Sequence, residues 1–242
     1  MSTLITKKDY ELLKLKYPNN MDYIEQKLEE NYPVQYLIGD VNFYGYQIKV
    51  TEDVLIPRFE TETLIEKTIN YIKKLKINNP SILDIGTGSG CIPIVLKKEI
   101  DCTVTAIDIS EKALEVAKSN AYLNNTDIQF IKKDILNEDI EEIYDVIISN
   151  PPYLTENDDV SLSISYEPQN ALYAEDNGLL FYKKIIKKSV NHISRKSLIA
   201  FETGDSQKDS IINIAKEYYP KSKIIAEKDL SGKDRYIFII NE

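Results

Sequence analysis

Cysteine, histidine and tryptophan are almost missing from this chain, with two, one and none among its 242 residues. Cys91 and Cys102 have no metal-ligand spacing, so neither a zinc site nor a disulfide framework is expected. They read as small buried thiols of an intracellular protein. Positive charge is in deficit: 30 Lys and Arg face 39 Asp and Glu, for a formal net charge of -9. That balance disfavours direct binding to nucleic acid, which draws its affinity from Lys and Arg neutralising phosphates. No apolar run approaches the ~18 residues that span a bilayer, and the opening MSTLITKKDYELLKLK has no apolar h-region. A soluble, cytoplasmic protein without a membrane partner is the expectation. Glycine is scarce too: 8 are present, where average usage would place about 17. Three of them, Gly86, Gly88 and Gly90, fall in a single short run.

Apolar residues are ample at 43%, and a chain this long buries roughly 70% of its unfolded surface, enough for one domain with a small appendage. Residues 1–32 read as a reduced helical segment. Thr6 can cap a helix holding Tyr10, Leu12, Leu13 and Leu15, and Asn20 one from Met21 to Asn31. Residues 33–56 read as a β-hairpin linker: VNFYGYQIKV alternates around Gly45, with Val41, Phe43, Tyr46, Ile48 and Val50 as its buried face. The main unit, 57–242, opens with a helix after Pro57 that sets Leu64, Ile65, Ile69, Ile72 and Leu75 on one side. From Ser81, short apolar runs alternate with helical segments, the pattern of βα units on a parallel sheet. Strands are expected at Ile82 to Ile85, Val104 to Ile107, Ile128 to Ile131, Val146 to Ser149, Leu198 to Phe201, Ile224 to Ala226 and Tyr236 to Ile240. Helices are expected near Ile92 to Lys98, Glu111 to Leu123, Leu179 to Ser189 and Asp209 to Tyr219. The polar stretch Leu154 to Gly178 far exceeds the median connection of about 4 to 6 residues, and long loops often carry function.

Two constellations carry chemistry. In ILDIGTGSGC an apolar strand runs into Gly86, Gly88 and Gly90 and then into a helix, which lets backbone approach a ligand closely. The spacing is G-x-G-x-G, with Cys91 where a dinucleotide fingerprint wants its third glycine, and this argues against a dehydrogenase. Asp108, after the next strand, is placed to accept hydrogen bonds from ribose hydroxyls, so an adenosine ligand is expected. The competing reading is a tight turn with Asp108 as a helix cap.

In YDVIISNPPY, Asn150, Pro151, Pro152 and Tyr153 directly follow an apolar strand. Ligands of open α/β sheets sit outside the carboxyl ends of the strands, so this turn and the glycine loop should line one crevice. The prolines fix φ and remove two donors, leaving carbonyl acceptors to which Asn150 adds another. Rigid acceptors beside an aromatic ring suit a planar NH2 group held by both hydrogens. An ordinary Asn-Pro turn with a surface tyrosine is the competing reading.

Together DIGTGSG, AIDIS and SNPPY resemble the class I S-adenosylmethionine methyltransferases that act on an amino nitrogen. The flanking PVQYLIGDVNFYGYQIKV, VLIPRFETETLIE, YEPQNALYAEDNGLLFYKKI, FETGDSQ and DLSGKDRYI narrow the resemblance to the PrmC/HemK family of protein-glutamine methyltransferases, from about Pro33 to the C-terminus. The resemblance implies an α/β fold whose seven-stranded, mostly parallel sheet has helices on both faces. It implies S-adenosyl-L-methionine as cofactor, no metal, and a monomer that methylates the GGQ-motif glutamine of its partner, a peptide chain release factor. Gly86, Thr87, Gly88, Ser89, Gly90 and Asp108 would hold the methionyl and ribose parts of the cofactor, and Asp134 and Ile135 its adenine side. Asn150, Pro151, Pro152 and Tyr153 would hold the glutamine, with Asn150, Pro151 and Tyr153 catalytic and Asn150 also touching the cofactor. Arg58, Glu60 and Glu62 lie where the family packs a loop over the cofactor, Arg58 as a contact, although Phe59 replaces the usual Pro and helix capping competes for the glutamates. The family's helical domain is longer than residues 1–32. The rival substrates are a ribosomal-protein glutamine and the amine of adenine in nucleic acid; the latter requires base flipping and normally a basic surface.

Overall fold

The computed structural model describes residues 5–242; the first four residues of the N-terminal segment lie outside it. Thr6 caps α1 (Lys7–Lys16) by accepting the Asp9 N–H at 3.1 Å. Asn20 precedes α2 (Met21–Glu29) without a side-chain cap, and this helix stops short of the expected Asn31. A third helix, α3 (Val34–Ile38), occupies the start of the stretch expected as hairpin linker. Leu13, Ile24 and Leu37, one from each helix, are buried together, which supplies the tertiary packing that such short helices require.

The hairpin pairs β1 (Asp40–Phe43) with β2 (Tyr46–Lys49) across a Tyr44–Gly45 turn. Phe43, Ile48 and Val50 are buried, while Val41 and Tyr46 are half-buried. Helix α4 (Phe59–Leu75) buries all five apolar residues of its expected stripe.

Seven strands form the main sheet: β3 (Ser81–Ile85), β4 (Thr103–Asp108), β5 (Gln129–Lys132), β6 (Tyr144–Ser149), β7 (Ile193–Glu202), β8 (Lys223–Lys228) and β9 (Asp234–Asn241). Their order is β5-β4-β3-β6-β7-β9-β8, and only β9 runs against its neighbours. Side chains alternate across it. Ile82, Val104, Val146, Ile148, Leu198 and Phe238 pack with α4 and α5 (Cys91–Glu99) on one face. Leu83, Ile107, Ile147, Ile199, Phe201 and Ile239 pack on the other, with α9 (Leu180–Ser189) and α10 (Lys208–Tyr218). Strands covered on both faces read as the near-continuous apolar runs seen in the sequence.

Helix α6 (Glu111–Leu123) carries the buried Asn120, which accepts the Lys49 N–H at 2.8 Å and donates to the carbonyls of Lys49 (2.9 Å) and Ser89 (2.8 Å). One side chain thus ties the hairpin to the glycine loop. The long 154–178 connection contains a 3-10 turn, Leu162–Tyr166, and two four-residue helices, α7 (Gln169–Leu172) and α8 (Glu175–Gly178).

Candidate active site

The order of the parallel strands switches about β3, whose neighbours are β4 on one side and β6 on the other. The loops leaving these three strands therefore converge on one crevice. Gly86, Gly88 and Gly90 have φ of +75°, +54° and +79°, a region that side chains other than glycine's rarely enter. The Gly86 and Thr87 N–H groups donate to the Ile107 carbonyl at 2.9 and 3.1 Å. Asp108 anchors the loop from below: Oδ2 accepts the Gly88 N–H and Oδ1 the Ser110 N–H, both at 2.9 Å. Burial raises its carboxyl pKa despite these bonds.

A cavity of about 330 Å3 opens there, walled by Gly86, Gly88, Asp108, Ile109, Asp134, Ile135 and the run Ser149–Pro152, with Val54, Leu55 and Phe181 also lining it. Thr87, Ser89 and Gly90 do not line it. Thr87 and Ser89 are buried behind the loop, and Gly90 lies where a Cβ would meet Ala117 of α6 at 3.0 Å. These three shape the loop and do not face the cavity. The Asp134 carboxylate is turned to its own backbone, accepting the Leu136 N–H at 2.9 Å and the Asn137 side chain at 2.7 Å.

A second, smaller cavity of about 120 Å3 is lined by Arg58, Tyr153, Leu154, Ile164 and Glu202 and shares Leu55, Asn150, Pro151 and Ala171 with the first. Asn150 and Pro151 therefore stand in the wall between two chambers. Asn150 Nδ2 donates to Thr61 Oγ1 at 3.2 Å, and Thr61 Oγ1 donates to Glu202 Oε2 at 2.7 Å. Burial pushes the Glu202 carboxyl up to about 7, against the lowering effect of Thr61 and Arg235. Tyr153 donates its N–H to the Leu172 carbonyl at 3.1 Å, and its own carbonyl accepts Gln207 Nε2 at 2.9 Å. Burial pushes its hydroxyl up to about 12, so the phenol stays neutral.

Arg58 departs from its expected place. Its guanidinium pairs with the buried Glu167, from the 154–178 connection, and lines the smaller chamber and not the larger one. Glu167 also accepts the Ile56 N–H at 3.0 Å, so the pair straps that connection to the segment ahead of α4. Glu62 is likewise turned away, accepting the Tyr44 N–H of the hairpin turn at 2.8 Å. The Glu60 carbonyl accepts the Tyr236 hydroxyl at 3.0 Å.

The family described as Methyltransferase small domain matches residues 62–181. Release factor glutamine methyltransferase of Flavobacterium psychrophilum is 42% identical over 218 residues, covering 87% of this chain and 76% of that protein. The enzyme of the same name from Streptococcus pneumoniae is 40% identical over 220 residues, covering 89% and 77%. The chain belongs to the release factor glutamine methyltransferase family. A solved structure of a release factor-specific protein-(glutamine-N5) methyltransferase from Alicyclobacillus acidocaldarius superposes with a TM-score of 0.50 at 25% identity, covering 80% of this chain and 99% of that one. The α/β fold with its seven-stranded sheet is that of the class I methyltransferases, and the chain is a methyltransferase.

For this family member, the two motifs singled out in the sequence meet at one crevice, because each directly follows a strand of the parallel sheet. Thr61, Glu167, Glu202 and Gln207 were not singled out, although each lies in a segment that carried the resemblance. Among the described residues no group of three or more His, Cys, Asp or Glu is placed to hold a metal, and no helix is long and apolar enough to cross a membrane.

Proposed function

We propose that this methyltransferase moves a methyl group from S-adenosyl-L-methionine to the side-chain amide nitrogen of the GGQ glutamine in a peptide chain release factor. The observation that carries the reading is the shared wall: Asn150 and Pro151 border both the larger and the smaller chamber. A group held by these acceptors is in reach of ligands on both sides. The names of the relatives support a release factor as the protein substrate.

The residues of the larger chamber fit the methyl donor. Asp108 is braced by two backbone N–H groups and keeps lone pairs for ribose hydroxyls. A Cβ at Gly86 or Gly88 would meet open space, so backbone there is accessible to the methionyl part, and Ile109, Ile135 and Leu136 offer apolar walls to a base. When bound, S-adenosylmethionine supplies a methyl group already activated by its sulfonium.

A primary amide nitrogen is a weak nucleophile because its lone pair is delocalised, so the protein must contribute orientation. Asn150 Oδ1 and the Pro151 carbonyl accept the two amide hydrogens, fix the plane of the NH2 group and stabilise positive charge as it develops on nitrogen. The Tyr153 ring covers one face of the amide. The proton leaves after transfer, so no general base at the amide is needed. Asn150→Ala is expected to lower turnover about a hundredfold in transfer of labelled methyl groups to a release factor. Wild-type turnover by that variant would remove Asn150 from the role.

A further inference from the structure

Thr61 and Glu202 are polar residues that the reaction described above does not use, yet they are only 3% and 2% exposed. Thr61 sits in the first turn of α4 and Glu202 at the last position of β7. A threonine hydroxyl has one proton to give, and here that proton goes to the Glu202 carboxylate at 2.7 Å. What Thr61 shows to Asn150 is then lone pairs only, and the Asn150 end that meets them, at 3.2 Å, is its NH2. The opposite end, Oδ1, receives no donor from the described residues and is left at the wall between the chambers. A flipped Asn150 would set oxygen against the Thr61 lone pairs and would offer its own NH2 to an incoming NH2, donor against donor. Buried polar groups left in such contacts cost more than an ordinary hydrogen bond contributes.

We infer that Glu202, acting through Thr61, is a positioning residue that fixes the amide polarity of Asn150 and so selects a substrate nitrogen that presents hydrogens. The inference deepens the proposed function and rests on its reading that Asn150 Oδ1 receives the substrate amide. The device is preorganised: both ends of the relay are held on regular elements, α4 and β7, and the Asn150 side chain is oriented before substrate arrives. Electrostatic preorganisation of this kind acts on the barrier and leaves donor binding alone.

The test compares paired variants at pH 8, above the value of about 7 to which burial pushes the Glu202 carboxyl, with kcat and KM for labelled methyl transfer to a release factor and donor binding by equilibrium dialysis. Thr61→Val keeps the shape and removes the relay; kcat is expected to fall about thirtyfold with the donor KM within about twofold. Thr61→Ser restores the hydroxyl and is expected to retain at least about a third of wild-type kcat. Glu202→Gln still offers an acceptor to Thr61 and should stay within about fivefold of wild type, whereas Glu202→Met offers none and should fall as Thr61→Val does. The glutamate pair decides the matter if Thr61→Val fails to bind donor. Equal loss in Thr61→Ser and Thr61→Val, or in Glu202→Gln and Glu202→Met, would overturn the relay, as would a Thr61→Val enzyme within threefold of wild type while Asn150→Ala is impaired. Normal turnover by Asn150→Ala would instead overturn the reading beneath it.

Discussion

Asp84 is fully buried at the penultimate position of β3, and neither of its carboxylate oxygens finds a hydrogen-bond partner in the described structure. Burial pushes its pKa up to about 7; the nearby Thr87 hydroxyl pulls the other way but makes no well-formed bond. The folded state therefore holds this proton in a range where the unfolded chain, at about 4, has lost it. The stabilising contribution is complete below about pH 4 and is lost as pH rises through about 7. Asp84→Asn should accordingly gain on the wild type with rising pH, by about 2 kcal/mol between pH 5.5 and 8.5 in urea unfolding. A stability difference that does not change with pH would contradict this assignment. At this scale the two motif loops were legible, because each is contiguous and follows a strand. The supports of Asn150 were not. Thr61 lies 89 residues from Asn150, and Glu202 lies 141 from Thr61, so their roles arise only when the sheet closes.

Elements were legible where their periodicity is long. All seven strands of the sheet formed where apolar runs stood, most extending a residue or more beyond them, and α6 runs over the expected Glu111–Leu123. Helix α3 escaped because five residues complete barely more than one turn, too few to show a period. The 154–178 connection read as featureless for a related reason: α7 and α8 are four residues each and are held by outside contacts. Gly178 shows how tightly. It has φ of +77°, and a Cβ there would fall 2.2 Å from both Gln207 Nε2 and the Tyr153 carbonyl oxygen. Gly178→Ala is expected to push the Tyr153 carbonyl out of place, costing about 3 kcal/mol or more of stability and a larger share of kcat than of donor affinity. Gln207→Ala removes the bonds to the Tyr153 and Asn177 carbonyls without a clash, so about 1 to 2 kcal/mol is expected. Thermal melts alongside turnover check both, and a Gly178→Ala protein as stable as wild type would contradict the packing.

Across the whole molecule, the switch in strand order about β3 creates the crevice, and the helical N-terminal body touches the connection that helps line the smaller chamber. The contact runs through the 3-10 turn: Tyr166 donates its hydroxyl to the Glu30 carbonyl at 3.1 Å, and its ring meets Tyr32 edge-on at 5.0 Å. That turn also carries Ile164, which lines the chamber, and the 71% exposed Leu162. Tyr166→Ala is expected to raise KM for the release factor about fivefold, the equivalent of ~1 kcal/mol, with donor binding unchanged. An unchanged KM would separate the helical body from substrate docking. The net charge of -9 bears on the same scale, since a flipped base would have to be drawn to an acidic surface. The most direct measurement of the central claim is mass spectrometry of a release factor incubated with the enzyme and S-adenosylmethionine in the presence of RNA and DNA. One methyl group on the GGQ glutamine, with the nucleic acids unmodified, is the predicted result; methylated bases beside an unmodified factor would contradict it.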